Sequence, residues 1–257
     1  MNTKNDWIAV FDSGVGGISV LRELIKIMPQ ENFLYFGDSA NAPYGTRPEA
    51  EVLALAMNVA DRLYARGIKA LVIACNTATA VAARKIREKY PDLIVIGIEP
   101  ALKPAVLAFP EGSVGIIATP VTLSGGKLSR LMERFPHPDT RLIPAPGLVE
   151  LVENGLADSP EMDAFLQPIL SPFAGKLDAL VLGCTHYPFV IPSIRRILGD
   201  RTQLFDGGEG TARHTKRRLE EAGLLREETG GNIQIENSRQ DPKILQLSME
   251  LLEVDNG

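Results

Sequence analysis

The chain lacks an excess of basic charge, a long apolar run and a signal-like opening. Its 27 Lys and Arg residues stand against 32 Asp and Glu in 257 residues, a net charge of −5. We predict no nucleic-acid partner, because binding a phosphate backbone needs clustered positive charge. No apolar run approaches the ~20 residues that span a bilayer, so no membrane partner is expected. The opening residues have no basic-then-apolar pattern, which predicts a cytoplasmic protein.

Cysteine and histidine are also scarce, with two cysteines and three histidines. The cysteines are too far apart for the Cys-x-x-Cys motif of zinc sites and redox dithiols. Cys75, Cys184, His186 and Asp12 are residue types that bind metals. They lack the close Cys-x-x-Cys or His-x-x-x-His spacing of common zinc sites, so we predict no metal. A disulfide is disfavoured in a reducing compartment. Two buried bystander thiols remain the simplest alternative.

The two cysteines nevertheless occupy matching sequence contexts. Residues 71–78 read LVIACNTA, and residues 180–187 read LVLGCTHY. In each segment an aliphatic run ends at a thiol and continues into small polar residues. This pattern places each thiol at the carboxyl end of a buried strand, where open α/β sheets bind ligands. Matched thiols on matched units indicate one site that works from two sides.

The whole chain alternates strand-like apolar runs with amphipathic stretches, which predicts parallel sheets with helices on both faces. Residues 113–119 resemble the opening strand at 7–13, at an offset close to that between the cysteines. We therefore predict two similar doubly wound α/β domains, residues 1–98 plus 210–257 and residues 99–209. The predicted strands are 7–11, 33–36, 70–74, 94–98, 114–118, 141–143, 179–182, 203–205 and 233–235. One helix is expected to start with Thr46 as its N-cap and to end at Gly67.

A glycine-rich loop, DSGVGG at 12–17, follows the first predicted strand. Its amides could bind a carboxylate or phosphate, or the loop could be a plain tight turn. A dinucleotide fingerprint is a third interpretation, supported by Asp38 at the end of the second strand. Two features oppose it: Ser19 replaces the third glycine, and Asp12 would repel a pyrophosphate.

Other candidate site residues are polar groups next to these strand ends. Tyr44 and Gly45 could supply a hydroxyl and an amide, although an ordinary turn explains them equally. Asn76, Thr77 and Thr185 could cap helices or bind a carboxylate. His186 lies two residues from a thiol and can exchange a proton near neutral pH. Glu150 is an acid that could lie near the site or in solvent.

Four motifs together resemble the glutamate racemase family, within the cofactor-independent aspartate/glutamate racemase superfamily. They are DSGVGG at 12–17, PYG at 43–45, CNTA at 75–78 and GCTHYP at 183–188. The resemblance spans nearly the whole chain. It implies two α/β domains with the active site in the cleft between them, and interconversion of L- and D-glutamate without a cofactor. It also implies a role in supplying D-glutamate for peptidoglycan.

The resemblance also implies roles for single residues. Cys75 and Cys184 would be the acid/base thiols, Cys75 acting on D-glutamate and Cys184 on L-glutamate, with Asp12 and His186 assisting them. The substrate would be bound by Asp12, Ser13, Tyr44, Gly45, Asn76, Thr77, Thr185, His186 and Glu150. The expected partner is glutamate itself, and a homodimer is considered although the sequence does not determine it.

Three other functions fit parts of the pattern. An aspartate racemase differs in substrate by one methylene, and sequence spacing does not measure pocket depth. A dinucleotide-dependent oxidoreductase would use the loop at 12–17. A two-lobed amino-acid binder would hold glutamate without exchanging its α-proton.

Overall fold

The computed structural model describes residues 3–253 and shows strands and helices alternating along the chain. Nine strands form two sheets: β1 (Trp7–Asp12), β2 (Phe33–Gly37), β3 (Ile68–Ile73), β4 (Ile94–Gly97), β5 (Val114–Ala118), β6 (Thr140–Pro144), β7 (Ala179–Leu182), β8 (Gln203–Asp206) and β9 (Ile233–Asn237). Each lies on a predicted strand. The weakly patterned 233–235 is among them, because it pairs with β2.

The helices fill the intervals between strands. They are α1 (Ile18–Ile27), α2 (Glu49–Tyr64), α3 (Asn76–Lys89), α4 (Leu102–Ala108), α5 (Pro120–Ser124), α6 (Gly126–Arg134), α7 (Leu148–Glu153), α8 (Pro160–Leu170), α9 (Ile191–Leu198), α10 (Gly208–Glu221) and α11 (Pro242–Glu253). Within residues 3–253 we find no helix with the length and apolarity needed to cross a bilayer.

Both sheets are parallel and share one strand order. The five-stranded sheet runs β4-β3-β1-β2-β9, and the four-stranded sheet runs β8-β7-β5-β6. In each sheet the first strand of the unit lies between the second and the third, and the fourth lies outside the third. The strand before Cys75 and the strand before Cys184 therefore hold the same place. The predicted α/β class with two parallel sheets is confirmed.

Chain contacts divide the molecule into two units. The first contains residues 3–99 and Gly208–Glu253, and the second contains Pro100–Gly207. The tail thus supplies β9, which extends the first sheet beyond β2.

Each unit has its own hydrophobic core. In the first, side chains of β1, β2 and β3 pack with α2 and α3 on one face of the sheet, and Phe11, Leu71 and Ala82 are fully buried there. On the same sheet α1 packs against α10, which also contacts β4. In the second, Ile116 and Val181 pack with Leu102 of α4 and Leu128 of α6. The strands are aliphatic along their whole length because both faces of a parallel sheet are covered by helices, so that side chains on either face are buried.

One predicted helix start is wrong. Thr46 does not cap α2 but ends a 3₁₀ turn, Tyr44–Thr46, and α2 begins two residues after Arg47, with Pro48 at the capping position. The proline sets an extended backbone immediately before the helix. At the other end α2 stops at Tyr64, two residues before the predicted Arg66, and Gly67 adopts the left-handed φ of 73° that is typical of a glycine beyond a helix end.

Candidate active site

Cys75 lies between β3 and α3, and its own sulfur caps the helix. Sγ accepts a hydrogen bond from the Ala78 amide at 3.4 Å, and the side chain is 6% exposed. Helix N-terminal amides and the helix dipole favour negative charge at this position, which suits a thiolate. Of the two roles considered for Asn76 and Thr77, the N-cap position of this helix is taken by Cys75 instead, because both residues lie inside the first turn.

The loop after β1 approaches the same thiol. Ser13 Oγ lies 3.5 Å from Cys75 Sγ, and Asp12 Oδ1 accepts from the Gly14 amide at 2.9 Å. Gly17 makes this packing feasible, since a Cβ there would lie 2.6 Å from the Cβ of Asp12. The glycines of this loop thus bring backbone close to the buried Asp12.

Tyr44 belongs to the same group of side chains. It is 1% exposed, packs edge-to-face against Phe11 and donates its hydroxyl proton to Asp38 Oδ2 at 2.7 Å. Burial raises the pKa of Tyr44 far above its ordinary value, and the nearby charges of Asp38, Cys75 and Asp12 add to this increase. The phenol therefore stays protonated. Its neighbour Gly45 is half-buried in the 3₁₀ turn.

Cys184 follows β7 in the second unit and has a different local structure. A 3₁₀ helix, Tyr187–Val190, comes next, and α9 starts only at Ile191. The thiol pairs instead with a side chain: His186 Nδ1 lies 3.7 Å from Cys184 Sγ. On its other side, His186 Nε2 lies 2.7 Å from Glu153 Oε1. Sulfur, imidazole and carboxylate form one chain.

This chain of contacts changes the proton affinity of the imidazole. Burial by itself would lower the pKa of His186, but its hydrogen bonds with Cys184 and Glu153 raise it well above the ordinary value. These two contacts therefore favour the protonated, positively charged imidazole beside Cys184. Tyr187 lies next to the pair, and burial, together with the charges of Cys184 and Glu150, raises its pKa as well.

The remaining candidates lie near these thiols along the chain. Thr185 is buried between Cys184 and His186, and Glu150 is exposed in the first turn of α7. Asn76 Oδ1 is buried, with no hydrogen-bond partner among the residues that the structure describes. An orphaned buried acceptor has a cost unless a ligand or water satisfies it.

Sequence reasoning missed Glu153. It lies three residues after Glu150 on α7, so that both acids stand on neighbouring turns of one short helix. Nothing in the sequence indicated that Glu153 contacts His186.

Among residues 3–253, no group of three or more His, Cys, Asp or Glu side chains is arranged to hold a metal ion. Neither Cys75 nor Cys184 forms a disulfide. The carboxylate of Asp38, the residue that supported a dinucleotide fingerprint, accepts hydrogen bonds from Tyr44 and Asn41.

Each of the two parallel α/β units therefore places a cysteine after its third strand. Residues 15–215 match the model of the Asp/Glu/Hydantoin racemase family, and the chain belongs to this family. Within it, the chain is 48% identical to the glutamate racemase of Clostridium acetobutylicum over 258 residues, covering 99% of this chain and 100% of that protein.

Solved structures give the same assignment. A glutamate racemase from Bacillus anthracis superposes with a TM-score of 0.87 at 30% identity, over 98% of this chain and 96% of that one. The glutamate racemase of Francisella tularensis subsp. tularensis, solved with D-glutamate, gives a TM-score of 0.85 at 30% identity, over 98% and 95%.

Proposed function

We propose that this protein interconverts L- and D-glutamate through two cysteine thiols. One observation carries the proposal: Cys75 and Cys184 follow topologically equivalent strands, and each thiol has its own means of favouring the thiolate. The near-full-length similarity to glutamate racemases supports glutamate as the substrate. So does the D-glutamate bound by the Francisella relative.

The proposed reaction moves one proton off the α-carbon and another onto it. With L-glutamate, the Cys184 thiolate removes the α-proton and becomes a thiol. The Cys75 thiol then delivers its own proton to the opposite face of the carbanion and becomes a thiolate. The product is D-glutamate, and the two sulfurs have exchanged protonation states. The reverse reaction uses the same groups in the opposite order, and no electrons are transferred.

The neighbours of each thiol have matching tasks in this scheme. The Ala78 amide and Ser13 hydroxyl stabilise negative charge on Cys75, and the imidazolium of His186 does so for Cys184. The α-proton is weakly acidic, so the carbanion needs hydrogen-bond donors and exclusion of water. We assign substrate binding to Asp12, Ser13, Tyr44, Gly45, Asn76, Thr77, Thr185, His186 and Glu150. The hydroxyl and N–H groups of this set supply the donors, whereas the carboxylates of Asp12 and Glu150 and the orphaned Asn76 Oδ1 accept from the substrate ammonium.

The biological setting follows from the product. D-glutamate is a building block of peptidoglycan, so the proposed role is in cell-wall synthesis. A reducing cytoplasm would keep both thiols in the free form that the reaction needs. The homodimer stays a prediction, which light scattering of the purified protein tests.

The proposal is tested by circular dichroism of L-glutamate with purified protein and no added cofactor. Wild type is expected to remove the optical signal, and in D₂O the D-glutamate formed is expected to carry deuterium at Cα. The single variants C75S and C184S are expected to lose racemisation while retaining the wild-type far-ultraviolet spectrum. Undiminished racemisation by a C75A/C184A double variant would refute the two-thiol scheme.

The same samples separate the alternative functions. Racemisation of aspartate at a higher kcat/KM than glutamate would assign the protein to aspartate. Binding of glutamate without deuterium exchange at Cα would indicate a non-catalytic binder.

A further inference from the structure

Asp38 is a buried carboxylate that the proposed reaction does not use. It follows β2 at the carboxyl edge of the first sheet and is 3% exposed. Its amide donates to the carbonyl oxygen of Asp12 at 2.9 Å, so its backbone is joined to the loop that contacts Cys75. A buried carboxylate normally has a structural or functional partner.

The partners of Asp38 lie in the loop that follows it. The Tyr44 hydroxyl donates to Asp38 Oδ2 at 2.7 Å. The side-chain amide of Asn41 donates through Nδ2, which lies 3.1 Å from each carboxylate oxygen. Asn41 is held in turn, because Arg47 Nε donates to its carbonyl oxygen at 2.8 Å. The buried carboxylate of Asp38 is therefore the common hydrogen-bond acceptor for the loop of residues 38–47.

The first half of this loop has a separate support. Asn237, at the end of β9, donates to Ser39 Oγ at 2.9 Å, and the Ala40 amide donates to Ser238 Oγ at 3.0 Å. Residues 39 and 40 are thus fixed by the returning tail. The 3₁₀ turn at Tyr44–Thr46 depends on Asp38 for its polar attachment to the sheet edge.

We infer that Asp38 is a positioning residue for the reaction, which acts by fixing the Tyr44–Gly45 turn next to Cys75. This inference rests on the proposed function, because Tyr44 and Gly45 are assigned to substrate binding. The role assigned to Asp38 is indirect, because the contacts of its carboxylate that carry it are those with Tyr44 and Asn41. Its removal should loosen the turn and weaken substrate binding more than it slows the proton transfer.

Three variants test this role in the racemase assay: D38N, Y44F and the double variant. We expect each single variant to raise KM about three- to tenfold while kcat stays within about twofold, the pattern of lost ground-state binding. If Asp38 acts through Tyr44, the double variant should resemble Y44F, because effects that share one contact do not add. Fully additive effects, or a loss in kcat with KM unchanged, would overturn the inference.

A matched control comes from a second aspartate–tyrosine pair in the same unit. The Tyr64 hydroxyl donates to Asp92 Oδ2 at 2.9 Å at an exposed position. D92N removes the same kind of charge from the same kind of contact, and KM and kcat should both stay at the wild-type value. A D92N effect equal to that of D38N would show that the kinetic change is unspecific, and would overturn the inference.

A spectroscopic measurement tests the contact without any catalytic assay. In protein labelled with ¹³Cζ-tyrosine, Y44F assigns the Tyr44 resonance among the five tyrosines. Because the Tyr44 hydroxyl donates to Asp38 Oδ2, D38N should shift this resonance at neutral pH, whereas D92N should leave it at its wild-type position. A D38N resonance at the wild-type position would overturn the contact. If the resonance shifts in D38N but the wild-type protein does not racemise glutamate, the proposed function is overturned and the contact is not.

Discussion

Glu153 allows a sharp test of how Cys184 works. The perturbation is Glu153→Gln, which keeps an acceptor 2.7 Å from His186 Nε2 but removes the negative charge. A hydrogen bond to a charged group contributes about 1.5–3 kcal/mol, and a neutral one about 0.5–1.5 kcal/mol. The difference, about 1–2 kcal/mol, corresponds to a loss of roughly 5- to 30-fold in kcat/KM.

The loss of kcat/KM must be equal in both directions, because the two enantiomers have equal free energies in water. The isotope effects distinguish the steps. When transfer at Cys184 becomes slower, removal of deuterium from [2-²H]-L-glutamate limits the rate more, and its isotope effect should rise. With [2-²H]-D-glutamate, Cys75 removes the deuterium, and the isotope effect should fall because the later step at Cys184 limits the rate.

The pH profile gives a second readout. His186 has a raised pKa, so its imidazolium is present below that pKa and is lost as pH rises through it. Glu153→Gln removes one cause of the increase and lowers the pKa of His186. The alkaline decline of kcat/KM should therefore begin at lower pH in the variant than in wild type.

Two further variants of the same unit complete the experiment. E161Q removes an exposed charge from the first turn of α8 and should change neither the isotope effects nor the pH profile. E150Q should raise KM, if Glu150 binds the substrate, and leave the isotope effects unchanged. The reasoning is refuted if E153Q shifts both isotope effects in the same direction, or if E150Q produces the opposed shifts.

Three stability predictions can be checked by urea denaturation. Gly17→Ala should cost about 1–3 kcal/mol and reduce racemisation, because the new methyl group meets the Cβ of Asp12; wild-type stability would contradict this packing. Lys69→Met should cost about 3–5 kcal/mol by leaving Glu31, 2.5 Å from Lys69 Nζ and fully buried, without its ion-pair partner. In the Lys69→Met background, Glu31→Leu should recover part of the lost free energy of unfolding. A further decrease in that free energy would argue against the ion pair. Ser159→Ala should cost about 1 kcal/mol, because its hydroxyl accepts the 3.1 Å capping bond of α8, whereas a neutral result would mean that the cap is dispensable.

The strand pattern could be predicted from sequence because buried parallel strands need uninterrupted aliphatic residues. That requirement also located Cys75 and Cys184, since each thiol stands where such a run stops. The repeated order of apolar runs indicated two similar units. The positions of the strands and of the two thiols depend on residues within a few positions of each other, so they can be predicted from the sequence.

The partners of the site residues came only from the tertiary structure. Glu153 contacts His186 across 33 positions, and Ser39, next to Asp38, accepts a hydrogen bond from Asn237, 198 positions away. The start of α2 is a different case, because its cause is local: Pro48 disfavours helical backbone at Arg47, which is extended, and a threonine cap at Thr46 is thereby excluded. Local sequence specifies which side chains carry the chemistry. Folding decides which of them share a hydrogen bond, because that depends on how distant elements pack.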